Sequence, residues 1–136
     1  MALGEMIAEE KGKITGTRVL PSEGQGPKIE TSFQASGKIL GVEASNMGTY
    51  WSVMRPNGVI YAEGQGVIMT KEGEVVSWTG SGVGKPTGRG AAIRFSYSLA
   101  FQTSSQRLAR LNSVLGVGEY EADENGNTHD KLWEWK

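Results

Sequence analysis

The sequence predicts an all-β domain, an antiparallel up-and-down meander of eight strands that closes into a small barrel. Three observations carry that reading. Ile93, Phe95, Tyr97, Leu99 and Phe101 fall on one face of an extended run, while Arg94, Ser96, Ser98 and Ala100 fall on the other. That is the period of two of a half-buried strand. Arg55-Pro56-Asn57-Gly58 is a hairpin signal, because proline presets φ at the first corner and glycine accepts the left-handed position. Finally, 20 of the 136 residues are glycine, about twice average usage. They are spread through periodic segments, as tight turns and crowded backbone require, and do not form a tether.

The elements follow in order. Residues 1–9 are read as a loosely ordered N-terminal segment of the single domain 1–136. Lys11 to Leu20 and Lys28 to Val42 are extended, joined by the turn-rich Pro21-Ser22-Glu23-Gly24-Gln25-Gly26-Pro27. Tyr50 to Arg55, Val59 to Met69, Val75 to Val83 and Ala92 to Phe101 continue the alternation, and Val114 to Ala122 and Lys131 to Trp135 complete it. Thr70-Lys71-Glu72-Gly73, Pro86-Thr87-Gly88 and Glu124-Asn125-Gly126-Asn127 punctuate these runs. About eight short strands joined in this way can close on themselves. One short helical turn interrupts them near 104–112, with Ser104 or Ser105 as its cap. Its Leu108 and Leu111, three apart, are expected to bury and cover one barrel end.

Composition bounds the chemistry. Hydrophobic content of 38% with 21% charge is that of one globular domain with a real core. The chain has no cysteine, which removes disulfides, thiolate nucleophiles and cysteine-based zinc sites together. No run is long enough to span a bilayer as a helix, no basic segment precedes an apolar one at the start, and Asn-x-Ser/Thr is missing. The expectation is a cytoplasmic protein without a membrane partner. With a net charge of −1 and scattered basic residues, nothing forms the basic stripe that nucleic-acid binding needs.

Motifs that suggest cofactors fail on inspection. Gly80-Ser81-Gly82-Val83-Gly84-Lys85-Pro86-Thr87 looks like a phosphate-binding loop, but Thr79 stands where its first glycine belongs and Pro86 where the magnesium-binding hydroxyl belongs. No Gly-x-Gly-x-x-Gly fingerprint occurs. The one histidine, His129, sits in a polar stretch read as a solvated turn. One histidine and no cysteine make a transition-metal site or a catalytic triad improbable. The expectation is therefore no metal and no cofactor.

The glycine rows are the sharper signal. Gly64 and Gly66 share one strand face, Gly80, Gly82 and Gly84 share another, and Gly116 and Gly118 repeat the spacing. Each row leaves a trough that aromatic rings, a second subunit or a ligand can fill. Small barrels need small residues to taper and coil, which favours the rings. The polar groups nearest such troughs are Tyr61, Glu63 and Gln65 on one face, Trp51 and Arg55 on another, and Arg94 in the best amphipathic strand. These six are the ligand-binding candidates; no catalytic residue stands out. Glu119, Glu121 and Asp123 are solvated charges if they face outward, and an acid if they line a cavity. Trp133 and Trp135 share a face of the last run and are expected to close a core or a subunit contact.

Gly48-Thr49-Tyr50-Trp51-Ser52-Val53, Gly64-Gln65-Gly66-Val67, Leu108-Ala109-Arg110-Leu111-Asn112 and Gly116-Val117-Gly118-Glu119-Tyr120 resemble a group of uncharacterised small prokaryotic barrel proteins. More distantly, the stretch from Ser104 to Gly118 resembles the calycin-like barrels of allene oxide cyclase and dirigent proteins, in which a short glycine-containing turn precedes the closing strands. The resemblance implies a barrel and a homo-oligomer, and no catalytic residue of that family matches here. The resulting expectation is a barrel that binds a small apolar molecule, assembles into a homo-oligomer, or both. The alternatives are a cofactor-free isomerase or cyclase and a structural subunit of a larger assembly.

Overall fold

Alternation gives every strand one apolar face, and closing the sheet on itself buries all of those faces while removing both edges. The computed structural model describes residues 2–24, 26–90 and 92–136, and has this architecture. Met1, part of the expected N-terminal segment, and Gln25, part of the expected Pro21–Pro27 turn, lie outside the described residues. The strands are β1 (Leu3–Leu20), β2 (Lys28–Ile39), β3 (Val42–Met54), β4 (Ile60–Thr70), β5 (Val75–Pro86), β6 (Ile93–Thr103), β7 (Leu115–Ala122) and β8 (Asn127–Trp135). Each pairs antiparallel with its neighbours in sequence, and β1 pairs with β8 to close the barrel. No described helix is long and apolar enough to cross a membrane.

The ends of the strands depart from the sequence reading for local reasons. β1 begins at Leu3, well before Lys11, because residues 3–13 supply the partner that β8 requires. Register shifts between Leu3 and Met6 and between Met6 and Ala8 bury the adjacent Ile7 and Ala8, which breaks the alternation that would have announced a strand. The run read as Lys28 to Val42 is two strands, joined by the two-residue turn Leu40-Gly41. Both turn residues take positive φ, 49° and 79°, as a primed hairpin turn demands. Leucine is rare in that conformation, so the turn has no sequence signature; here the Leu40 side chain packs on the core and its N–H donates to Ile7 O at 2.8 Å.

Three other hairpins share one design. Arg55–Val59, Thr70–Glu74 and Asp123–Asn127 each carry glycine fourth, at Gly58, Gly73 and Gly126, with φ of 83°, 91° and 82°. In each, the glycine N–H donates to the first residue's carbonyl and the first residue's N–H to the fifth's. The tight last turn lets β8 start at Asn127, so His129 lies on a strand and not in a turn.

The core has two parts. Near the end where the chain starts and finishes, Ile7, Ile39, Ile68 and Val76 meet Leu108 and Leu111, which are 1% and 0% exposed. The helical segment is a 3-10 turn over Ala109–Ser113, shorter than the expected 104–112. Ser105 Oγ accepts from the Leu108 N–H at 3.3 Å, and the two leucines plug this end as expected. Toward the other end, Ile60, Ala62, Phe95, Tyr120 and Ala122 form the second part.

Candidate functional site

Between the two clusters, β4 and β5 present an inner wall rich in glycine. Gly64 pairs with Gly80, Gly66 with Trp78, Ala62 with Gly82 and Ile60 with Gly84. Aromatic rings fill most of the troughs these residues leave. A Cβ at Gly48 would lie 2.8 Å from the Phe33 ring, and one at Gly84 would lie 2.6 Å from Phe95. The Trp78 indole lies against Gly66 and the Tyr97 ring against Gly118. At Gly64 and Gly82 the nearest side-chain atoms are instead the Cβ atoms of Tyr50 and Tyr97, at 2.7 and 2.8 Å. These two glycines border a cavity of about 80 Å³.

Six rings surround this cavity: Phe33, Tyr50, Trp78, Phe95, Tyr97 and Tyr120. Phe33 and Tyr120 stand 5.7 Å apart, Tyr50 meets Phe95 edge-on at 5.7 Å, and Phe33 stacks on Trp78 at 6.3 Å. These are favourable aromatic geometries. The Tyr50 and Tyr120 hydroxyls approach to 3.5 Å.

The polar pole is acidic. Glu10 on β1 and Asp130 on β8 are register partners across the closing seam. Both face inward on the alternation of their strands, and Asp130 lines the cavity. Asn46 Nδ2 donates to Glu10 Oε1 at 2.9 Å, and Trp78 Nε1 donates to Asn46 Oδ1 at 2.9 Å. The Tyr97 hydroxyl donates to Asp130 Oδ1 in a short hydrogen bond. Burial pushes the Asp130 carboxyl up to about 7; the Tyr97 hydrogen bond opposes the rise and the Glu10 charge adds to it. Burial raises Glu10 too, against the Asn46 hydrogen bond. Burial, followed by the Asp130 charge, holds Tyr97 well above the usual phenol range. Glu10 is the one charged residue among the described buried side chains, and no lysine or arginine is among them.

The six sequence candidates all belong to outward strand positions or turns. Trp51 and Tyr61 meet at a tilt of 60°, 5.8 Å apart, on the outside, with Lys28 Nζ 4.5 Å above Trp51 and the Arg55 guanidinium 4.5 Å above Tyr61. The Tyr61 hydroxyl donates to Glu63 Oε2 at 2.6 Å, an exposed hydrogen bond. Glu63 borders the cavity from the strand that carries the glycine wall, with its carboxylate turned to that outer ladder. Gln65 Nε2 donates to Thr49 O at 3.1 Å, also exposed. Arg94 reaches Glu119 at 2.9 Å and Glu121 at 3.5 Å, which places all three charges in solvent. The two faces of β4 divide by size. There, the glycines face inward and the larger side chains outward, because rings from β2, β3, β5 and β6 need the interior space. His129 is likewise outward, its Nε2 2.7 Å from Glu9 Oε2.

Glu10, Asn46, Tyr97, Tyr120 and Asp130 were not singled out from sequence. Glu10 lies in the stretch whose alternation the register shifts obscure, and Asp130 in one that reads as a turn. The signal that could have found Tyr97 is its place on the apolar face of Ile93–Phe101.

No family model matches the chain, and no curated protein matches it. Solved structures do. A conserved protein of unknown function from Rhodopseudomonas palustris is 17% identical with a TM-score of 0.82, the match covering 98% of each chain. A protein of unknown function from Clostridium acetobutylicum is 11% identical with a TM-score of 0.83 over all of both chains. A β-barrel-like protein from Acinetobacter baumannii is 14% identical with a TM-score of 0.81, over 99% of this chain and 96% of that one. An enzyme from Penicillium herquei is 16% identical with a TM-score of 0.64, over 98% and 97%. The likeness establishes a shared barrel fold. Fold alone assigns no activity.

Proposed function

We propose that the barrel binds a small, largely apolar molecule in the cavity beside the glycine wall. The observation that carries this reading is the cavity itself: aromatic on most sides, walled by Gly64, Gly80 and Gly82, with Asp130 as a polar pole. Ligand sites are typically apolar concavities with a few convergent polar groups. At about 80 Å³, the cavity is roughly half the size of an engineered cavity that holds benzene. Its occupant is therefore a molecule of only a few heavy atoms. Titration with tert-butyl alcohol and with the smaller 2-propanol, followed by NMR of the Trp78 indole N–H and the Leu99 methyls, tests the proposal. Saturable shifts at these interior groups are expected, and Ala62→Leu, which fills the cavity from its own wall, should abolish them. Interior signals that stay fixed in the parent protein would overturn it.

A cofactor-free isomerase or cyclase is a second reading, favoured by the Asp130 carboxyl, whose pKa of about 7 suits a group that gives and takes a proton near neutrality. The distant resemblance to allene oxide cyclase supports it in kind. Its acid–base residues would be Asp130 and Tyr97, in place of Tyr61, Glu63 and Arg94. Self-association is a separate property that the outer surface favours. Trp133 stands opposite Met6 and Val117, and Trp135 opposite Leu3, with Leu3, Met6, Leu115 and Trp135 between 45% and 52% exposed. The two tryptophans are thus outside the core, where a second copy could cover them. Sedimentation of the parent and of a Trp135→Ser variant would show a mass difference if they are covered in solution.

A further inference from the structure

Resting on the proposal that the cavity is a ligand site, we infer that its ligand class is a small organic cation, an alkylammonium-type group held by the ring cage and Asp130, with Glu10 beside Asp130 across the seam. Three features of the structure converge on positive charge. The rings of Phe33, Tyr50, Trp78, Phe95, Tyr97 and Tyr120 border one space, and π faces attract cations most strongly where water is excluded. Both ionisable carboxyls of the interior are acidic and lie opposite each other across one seam. No described lysine or arginine is buried to neutralise them, and those within strands sit on outward positions.

An anion would meet the Asp130 carboxyl, backed by Glu10 across the seam, and the negative faces of the rings, with no compensating charge. A neutral molecule would gain the apolar contact and at most an uncharged hydrogen bond to Asp130. An ammonium gains that contact, the ring faces and a charge-assisted hydrogen bond to Asp130. Its arrival also favours the ionised carboxylate, so binding releases a proton and strengthens as pH rises through about 7. The titratable groups that face Asp130 are Glu10 from β1, Tyr97 from β6 and Tyr120 from β7. Both tyrosines stay protonated throughout this range, because burial raises them above the ordinary phenol value. Burial shifts the neighbouring Glu10 in the same direction as Asp130.

Three probes of nearly one shape separate the possibilities: tert-butylammonium, tert-butyl alcohol and pivalate. They are titrated at pH 8 into the full chain, with the Trp78 indole N–H as the reporter. The expected result is ammonium binding roughly tenfold or more tighter than the alcohol, with no pivalate binding. Asp130→Asn and Glu10→Gln should each reduce the ammonium affinity severalfold and shrink its advantage over the alcohol. Alcohol binding as tight as ammonium binding in the parent protein would overturn the cation assignment and leave the cavity as a ligand site. If none of the three perturbs the interior, both proposals fall.

Discussion

Glu10 and Asp130 face each other across the seam where the first strand meets the last, inside the barrel and within one hydrogen-bonded register. Each has a single polar side-chain partner, Asn46 for Glu10 and Tyr97 for Asp130. Their burial is therefore only partly compensated, and the protein's response to pH should show it.

Both carboxyls hold their protons more tightly folded than unfolded. Stability from such groups is fully present below the unfolded carboxylate pKa of about 4 and is lost as pH rises through the folded value, about 7 for Asp130. The melting temperature should fall by several degrees between pH 4.5 and 8, and Asp130→Asn should flatten that fall. Parallel profiles for the two proteins, measured by calorimetry, would show that Asp130 ionises as easily in the barrel as in the unfolded chain.

The Gly66–Trp78 contact gives a second expectation. A Cβ at Gly66 would overlap the indole, so Gly66→Ala should cost about 1–3 kcal/mol as an overpacked core. In a Trp78→Phe background the smaller ring withdraws, and most of that cost should disappear. Urea unfolding of the four proteins measures the coupling, and additive costs would mean the glycine is needed for some other reason.

Backbone conformation separates the glycines that turns require from those they do not. Gly41→Ala, Gly58→Ala, Gly73→Ala and Gly126→Ala each force a Cβ into left-handed φ and should cost about 1–2 kcal/mol. Gly16 has open space around it and no positive φ, so Gly16→Ala should be neutral or stabilising by roughly 0.5 kcal/mol. Equal losses at Gly16 and Gly58, by denaturant midpoint, would contradict this division.

Removal of the last five residues takes away Leu132, which is 3% exposed, and three of the eight register pairs of the β1–β8 seam. The shortened chain should lose cooperative unfolding in circular dichroism. A melting temperature equal to the parent's would mean that β8 does not close the barrel.

The meander was legible because its strongest strands obey strict alternation, as Ile93–Phe101 does, and because three hairpins carry glycine at the left-handed corner. What escaped sequence reading shares one cause: local backbone irregularity. The Leu40-Gly41 turn uses a leucine where glycine or asparagine is usual, and the register shifts near Met6 put two adjacent side chains inside. The cavity's lining escaped sequence reading because on β4 the inner face holds glycine and the outer face holds Tyr61, Glu63 and Gln65. Size is normally a guide to burial. In a narrow barrel whose space is already taken by Trp78, Tyr97 and Phe95, that guide reverses.

The seam also orders events during synthesis. Ala2 and Lys136 exchange backbone hydrogen bonds at 2.7 and 2.9 Å, so the two ends of this chain are partners. A ribosome emitting residues in order delivers seven strands as an open sheet with two bare edges and an uncovered aromatic face. Only when Asn127–Trp135 clears the exit tunnel can β1 find its neighbour. Until then the nascent sheet is a template for any other strand. The two acids on the final seam would at that moment still be in water, and their hold on a proton would tighten as the last pair of strands zips shut.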